Sequence, residues 1–208
     1  MSTLISLVST KGGVGKTVSA VHLSAYFSGI GPTLLVDGDA TRSATLWAKP
    51  GRLPFKVVPE RQIKMELSKN RYDFVIADTE ANPREDDFQE LASSSHLVII
   101  PTIPDGLCLH SVLQTAEKMR RLSPEIPFRV LLTVVPPKPN RDGEESLLFL
   151  RDQNLPVFRT GIRRLVAFQR AVMDGVTVER LDRTNLGWQD YLSVGEEICE
   201  LLNVHVPA

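Results

Sequence analysis

A chain of 208 residues with 42% apolar and 24% charged side chains has the composition of an ordinary folded protein and lies outside the polar, highly charged regime of disorder. Its 24 Lys and Arg against 25 Asp and Glu leave a net charge of -1, so a histone-like mode of polyanion binding is excluded and only local segregation of charge remains. Cys108 and Cys199 have no C-x-x-C spacing, which argues against a disulfide framework, a zinc site or a cysteine-held cluster and makes a reducing cytosol the simplest compartment.

The first apolar run, Leu4 to Val8, lacks the basic flank and longer apolar stretch of a signal peptide, and no run nears the roughly 18 apolar residues of a spanning helix. Short runs rich in β-branched residues follow at Thr33 to Val36, Phe55 to Val58, Phe74 to Ala77, Leu97 to Ile100 and Val130 to Val135. They are nearly continuous rather than alternating, the pattern of strands buried on both faces of a parallel sheet. Between them Val18 to Phe27, Phe88 to Ala92, Leu109 to Met119 and Glu144 to Leu150 carry helical spacing, and near the end Tyr191, Val194, Ile198 and Leu201 form a stripe suited to docking on a core. The alternation predicts an α/β fold: a doubly wound, mostly parallel sheet with helices on both faces and ligands beyond the carboxyl ends of the strands. At about 150 residues per domain, and with Pro136 to Asn140 too short for a linker, residues 1–208 read as a single domain.

Directly after the first strand and before the first helix stands Ser9-Thr10-Lys11-Gly12-Gly13-Val14-Gly15-Lys16-Thr17. In that context backbone amides can wrap a phosphate chain at a helix N-terminus. Gly12, Gly13 and Gly15 allow the backbone to turn close to the anion, Lys16 supplies a point charge, and the Thr17 hydroxyl can ligate Mg²⁺. A glycine turn before an ordinary helix is the plain alternative, and it requires three glycines and a Lys-Thr pair to coincide by accident. The strict G-x-x-x-x-G-K-[ST] pattern is broken by Thr10 at its first glycine, and a second lysine, Lys11, stands beside it. Two strands end in acids on the same sheet edge: Val36-Asp37-Gly38-Asp39 and Ile76-Ala77-Asp78. Asp78 is suited to holding Mg²⁺ and Asp39 to positioning an attacking water. Asp37 is either a helper at the metal or a plain strand-terminal acid or helix cap.

These residues resemble the ParA/MinD family of ATPases. Lys11 to Thr17 is similar to its deviant Walker A box, Val36 to Asp39 to its second acidic motif, and Val98-Ile99-Ile100-Pro101 to the strand beside its switch region. The resemblance implies a phosphate-loop ATPase fold using ATP and Mg²⁺. It implies that Lys11, Gly12, Gly13, Val14, Gly15, Lys16 and Thr17 hold the nucleotide, that Thr17, Asp39 and Asp78 serve the metal, and that Lys11, Lys16 and Asp39 take part in hydrolysis. Lys11 would reach the phosphates bound by a second subunit, so that ATP bridges a sandwich homodimer. Thr133 falls where the family often has an adenine-contacting Asn, and no base contact is assigned.

Such a dimer needs a surface to act on. No acid lies between Asp152 and Asp174, yet Arg159, Arg163, Arg164 and Arg170 all do, and Arg163 and Arg170 sit seven apart on a predicted helix. The segment is expected to bind DNA without sequence preference, the alternative being a solvated face with Arg stems laid over apolar surface. The acidic tail Gly195 to Asn203 disfavours a membrane-bound reading of the MinD type. Cys108 alone cannot supply the cysteines of a cluster-bearing reductase, and no second polar constellation marks a synthetase. The phosphate loop begins almost at the first residue, so specific DNA recognition is expected to reside in another protein. The sequence therefore predicts a cytoplasmic, nucleoid-associated ATPase of small ParA type, stimulated by an adaptor, that segregates a plasmid or spaces a protein assembly such as a carboxysome.

Overall fold

All six apolar runs form strands. β1 (Thr3–Ser9), β2 (Thr33–Asp37), β3 (Lys56–Pro59), β4 (Phe74–Ala81), β5 (Leu97–Thr102) and β6 (Phe128–Leu132) build one sheet in the order β3-β2-β4-β1-β5-β6, with every neighbouring pair parallel. The computed structural model describes residues 2–206.

Successive strand residues point to opposite faces, and the core follows that period. Ile5, Leu7, Leu35, Phe74, Ile76, Leu97 and Ile99 face one way. They pack under α1 (Lys16–Ser28), α2 (Ser43–Ala48), α7 (Val166–Asp174), α8 (Val178–Leu181) and α9 (Leu186–Leu202). The opposite face carries α3 (Ile63–Lys69), α4 (Glu85–Ser94), α5 (Gly106–Leu122) and α6 (Asp142–Asp152), with Val98, Ile100 and Val130 beneath α4 to α6 and Leu34, Val36 and Val75 beside Ile63. Each large side chain so enclosed contributes about 1.5–3 kcal/mol through removal from water. Tyr191, Val194 and Ile198 of α9 are buried and Leu201 packs at the edge of the same cluster, as the stripe predicts.

Three differences from the sequence reading have local causes. α2 and α3 are six and seven residues long, too short to show a helical period of their own. β6 ends at Leu132: the Thr133 amide still bonds the Thr102 carbonyl at the end of β5 at 2.7 Å, but Val134 takes φ 52° and turns the chain out of the ladder. Arg163 does not share a helix with Arg170, since α7 begins only at Val166 and Arg163 lies in an extended segment bridged to Val135.

His22 is fully buried between α1 and α9. Its ring stacks on Tyr191 at 4.9 Å and takes edge contacts from Trp47 and Phe168. Nδ1–H donates to the Val18 carbonyl at 2.8 Å, which leaves Nε2 to accept the Val178 amide at 3.1 Å. Burial lowers its pKa to about 4, against a smaller raising effect of the Val18 carbonyl. The unfolded chain, titrating near 6.5, therefore takes up this proton before the folded one does. The stabilisation is complete above pH 6.5 and is lost as pH falls toward 4, by about 2 kcal/mol at pH 5 from this group alone. Urea unfolding at pH 7 and pH 5 should show that loss, and His22→Gln should flatten it.

Candidate functional site

Parallel strands carry all their carboxyl ends to one edge, and there the loop after β1 meets the ends of β2, β4, β5 and β6. Gly13 and Gly15 take φ 76° and 75°, in the left-handed region where a side chain is strained. The Ser9 hydroxyl donates to the Lys11 carbonyl at 2.8 Å and accepts its amide at 3.1 Å, so the loop is clamped at its entry. At its exit the Thr133 hydroxyl lies 2.8 Å from the Val14 carbonyl and 3.0 Å from that of Thr102, tying loop, β5 and the end of β6 together. A Cβ on Gly15 would sit 3.3 Å from that hydroxyl, whereas Cβ atoms on Gly12 or Gly13 would meet nothing within 4 Å. The Gly12–Gly13 backbone thus borders open space, while Thr133 packs against Gly15 at the other end of the loop.

Lys16, the first residue of α1, is 7% exposed and turns its ammonium onto the acidic strand ends. Nζ lies 3.0 Å from Asp78 Oδ1 and 3.4 Å from Asp39 Oδ2, and it donates to the Thr79 carbonyl. Asp78 is fully buried, and burial raises its carboxyl pKa, a shift that the Lys16 ammonium opposes. Asp39 is more open. Its modest burial is outweighed by the hydroxyl and amide of Thr41 and by Lys16, which hold it below the usual carboxylate range. Two carboxyls against one ammonium are thus tuned apart, Asp39 firmly ionised and Asp78 harder to ionise.

β2 and β4 are in register at Asp37 and Asp78, but the two acids serve different ends. Asp37 Oδ2 accepts the Thr45 amide at 2.8 Å and hydroxyl at 2.6 Å, and Oδ1 accepts the Asp39 amide at 3.2 Å. Both oxygens tie the loop to the first turn of α2, whose N-cap residue is Arg42, so Asp37 has a structural role in holding that loop.

Lys11, Gly12, Gly13, Val14, Gly15, Lys16 and Thr17 therefore lie on one loop and helix start with Asp39 and Asp78 at its side. Lys11 is exposed and forms no ion pair among the described residues. The four arginines are divided instead of making a free +4 surface. Arg159 pairs with Glu197 at 3.2 Å and Glu200 at 2.5 Å, while Arg163 embraces both oxygens of buried Asp190 at 2.8 and 2.7 Å. Asp190 and Glu197 are seven apart on α9, a spacing that places both on one helix face. That spacing was the available signal. Arg164 and Arg170 are exposed and have no ion pair among the described residues. The role of Thr133 was hidden too, because a threonine after an apolar strand is an ordinary pattern and only the fold brings it to the loop.

The parallel sheet, the glycine loop at its carboxyl edge and the lysine between two acids define a phosphate-loop nucleotide-binding domain. A family model described as the CobQ/CobB/MinD/ParA nucleotide binding domain matches residues 5–178, and the chain belongs to that family. It is 30% identical over 202 residues to the maintenance of carboxysome distribution protein A of Gloeobacter kilaueensis, covering 94% of this chain and 93% of that protein. Among solved structures, an ATP complex of an aspartate-to-alanine variant of Cyanothece McdA superimposes with a TM-score of 0.77 at 14% identity, covering all of this chain and 98% of the other. MinD from Pyrococcus horikoshii with Mg-ADP gives 0.76 at 19% identity, with 98% of each chain covered. At those identities the two structures establish the fold alone. No helix among the described residues is long and apolar enough to cross a membrane.

Proposed function

We propose that this chain is a positioning ATPase of ParA type: with ATP and Mg²⁺ it forms a sandwich homodimer, binds DNA without sequence preference, and releases it when an adaptor stimulates hydrolysis. The observation that carries this reading is the division of labour between the two loop lysines. Lys16 is held at the acids of its own chain, while Lys11 is presented outward with no internal partner. The long match to a carboxysome distribution protein favours a protein assembly as the cargo over a plasmid.

The residues fit a magnesium nucleotide. Asp78 Oδ2 is buried with no hydrogen-bond partner, and the Gly12–Gly13 backbone opens on a space that a phosphate chain can enter. The amides of Gly12 to Thr17 and the Lys16 ammonium would hold the phosphates, with Thr17, Asp39 and Asp78 serving the metal. Mg²⁺, when bound, supplies charge neutralisation at the phosphate oxygens. In this reading the phosphates draw Lys16 away from Asp39, which frees that carboxylate to orient water. Lys11 leaves solvent only when a second subunit offers a triphosphate, so dimerisation reports the bound nucleotide.

The experiment is sedimentation of Lys11→Ala with and without ATP. The variant should bind nucleotide within about twofold of the parent, because Lys11 makes no contact that shapes its own loop except through its backbone, yet remain a monomer when the parent dimerises. Dimerisation of the variant with unchanged affinity would refute the sandwich.

DNA contact is assigned to Arg164 and Arg170 rather than to Arg159 and Arg163, whose charges are matched by α9. Replacing Arg164 and Arg170 with alanine removes four cations per dimer. The slope of log affinity against log salt should fall by roughly 3 to 4, with dimerisation intact. An unchanged slope would return both side chains to an ordinary solvated role.

A further inference from the structure

The sheet face that carries α3 to α6 has its apolar core in two pieces, one under α4, α5 and α6 and a smaller one over β2 and β4 beside Ile63. Between the pieces runs a groove of about 490 Å³. Leu4, Val36, Val75 and Ala77 line it from β1, β2 and β4, the middle of the sheet, where a parallel sheet ordinarily has a helix on each side. Besides the buried Asp78, which Lys16 pairs, four exposed acids stand along it: Glu60, Glu80, Asp87 and Glu90. No Lys, Arg or His lines it, and of the four acids only Asp87 has an ion-pair partner among the described residues, Arg84 at 2.8 Å. One end of the groove is formed by Gly38, Asp78 and Thr79, the backbone directly behind Lys16 and Asp39, where the Gly38 amide bonds the Asp78 carbonyl at 2.8 Å.

We propose that this groove is the docking site for a lysine- or arginine-bearing amphipathic segment of the partner protein that stimulates hydrolysis, an assignment that rests on the ATPase reading above. The argument is charge and shape complementarity. An apolar floor takes the apolar side chains of the segment, and an acidic border on which Glu60, Glu80 and Glu90 have no ion-pair partner among the described residues selects cationic ones and repels acidic ones. The acids sit on separate elements, and among the described residues no group of three or more His, Cys, Asp or Glu is placed to hold a metal ion, so a single hard cation is a poor match. Long cationic side chains spaced along a peptide reach dispersed carboxylates one at a time. An occupant lying against Gly38, Asp78 and Thr79 also touches the backbone that sets the positions of Asp39 and of the carbonyl bonded to Lys16, which gives a partner docked here a direct hold on the ATP site.

The test uses the full chain and a labelled synthetic peptide in which leucines at helical spacing alternate with lysines, followed by fluorescence polarisation, with a glutamate-for-lysine peptide of the same apolar pattern as the comparison. The basic peptide should bind, more weakly as salt rises, and the acidic one should not. Glu60→Lys with Glu90→Lys should weaken the basic peptide about tenfold or more while ATP affinity, measured on the same sample, stays unchanged. The neutral pair Glu60→Gln with Glu90→Gln should give a smaller loss, and it takes over as the deciding variant if the reversed pair fails to fold. Equal affinity of parent and both variants for the basic peptide, or equal binding of the two peptides, would overturn the proposal. Failure of the parent to bind ATP while the peptide still distinguishes parent from variant would instead overturn the ATPase reading and leave the groove in place.

Discussion

Lys16→Ala is expected to reduce nucleotide affinity by at least about 100-fold, the largest effect of any single substitution on binding. Two losses combine. The ammonium is a charge-assisted donor to phosphate, each such bond being worth about 1.5–3 kcal/mol. In the same molecule Asp78, fully buried and 3.0 Å from Lys16, is left beside the phosphate site with no cation to offset it. That second loss also appears in the variant without ligand. With its carboxyl already raised by burial and now deprived of Lys16, Asp78 binds its proton more tightly in the folded than in the unfolded chain. Its contribution is then most favourable at low pH and is lost as pH rises through the folded value. The variant should therefore show a larger stability deficit at pH 8 than at pH 5, of the order of 3 kcal/mol at the upper end. Titration calorimetry with ATP and urea unfolding at the two pH values check the two parts separately. ATP binding at the parental affinity would remove the loop from the nucleotide site.

Asp39→Ala is expected to leave ATP bound and to lower turnover by about 100-fold or more, the range lost when a positioned proton acceptor is removed. The carboxylate is the more accessible of the two that meet Lys16, and the Thr41 contacts keep it ionised and aimed from the β2 end toward the loop. Its removal leaves Lys16 attached to Asp78 and Thr79, so the phosphate loop keeps its shape and affinity changes little. Asp39→Asn separates charge from geometry. It can still accept from Thr41, so near-parental turnover in Asn would mean that Asp39 acts by holding its loop, and equal loss in Asn and Ala means that the charge itself is required. Single-turnover hydrolysis with equilibrium ATP binding on the same preparations distinguishes these outcomes.

Much of this site could be read directly because its signals are short-range. A glycine loop followed by Lys-Thr, set between an apolar run and a helical one, depends on contiguous residues, and Asp39 and Asp78 each follow closely on an apolar strand segment whose direction the parallel pattern fixes, although β4 itself runs on to Ala81. The arginines show the contrary case. Their spacing to one another is visible within 12 residues, but the carboxylates that neutralise Arg159 and Arg163 come from Asp190, Glu197 and Glu200, between 27 and 41 residues on. Charge segregation along a chain is not charge segregation on a surface. Asp37 teaches the same lesson in the other direction: its strand-end position suits a ligand as well as a cap, and only the folded loop shows both of its oxygens taken by Thr45 and Asp39.

By itself, the order of residues determined the alternation of strand and helix, the buried parallel character of the strands and the loop chemistry after β1, because each rests on local periodicity or on glycine and proline stereochemistry. The tertiary structure alone decided that β6 ends at Leu132 and that Thr133 beyond it braces the loop, which arginines have no ion-pair partner among the described residues, and that one face of the sheet is left with a groove bordered by acids. Those features depend on contacts between elements far apart in the chain, where packing and the distance between opposite charges, rather than local preference, set the outcome.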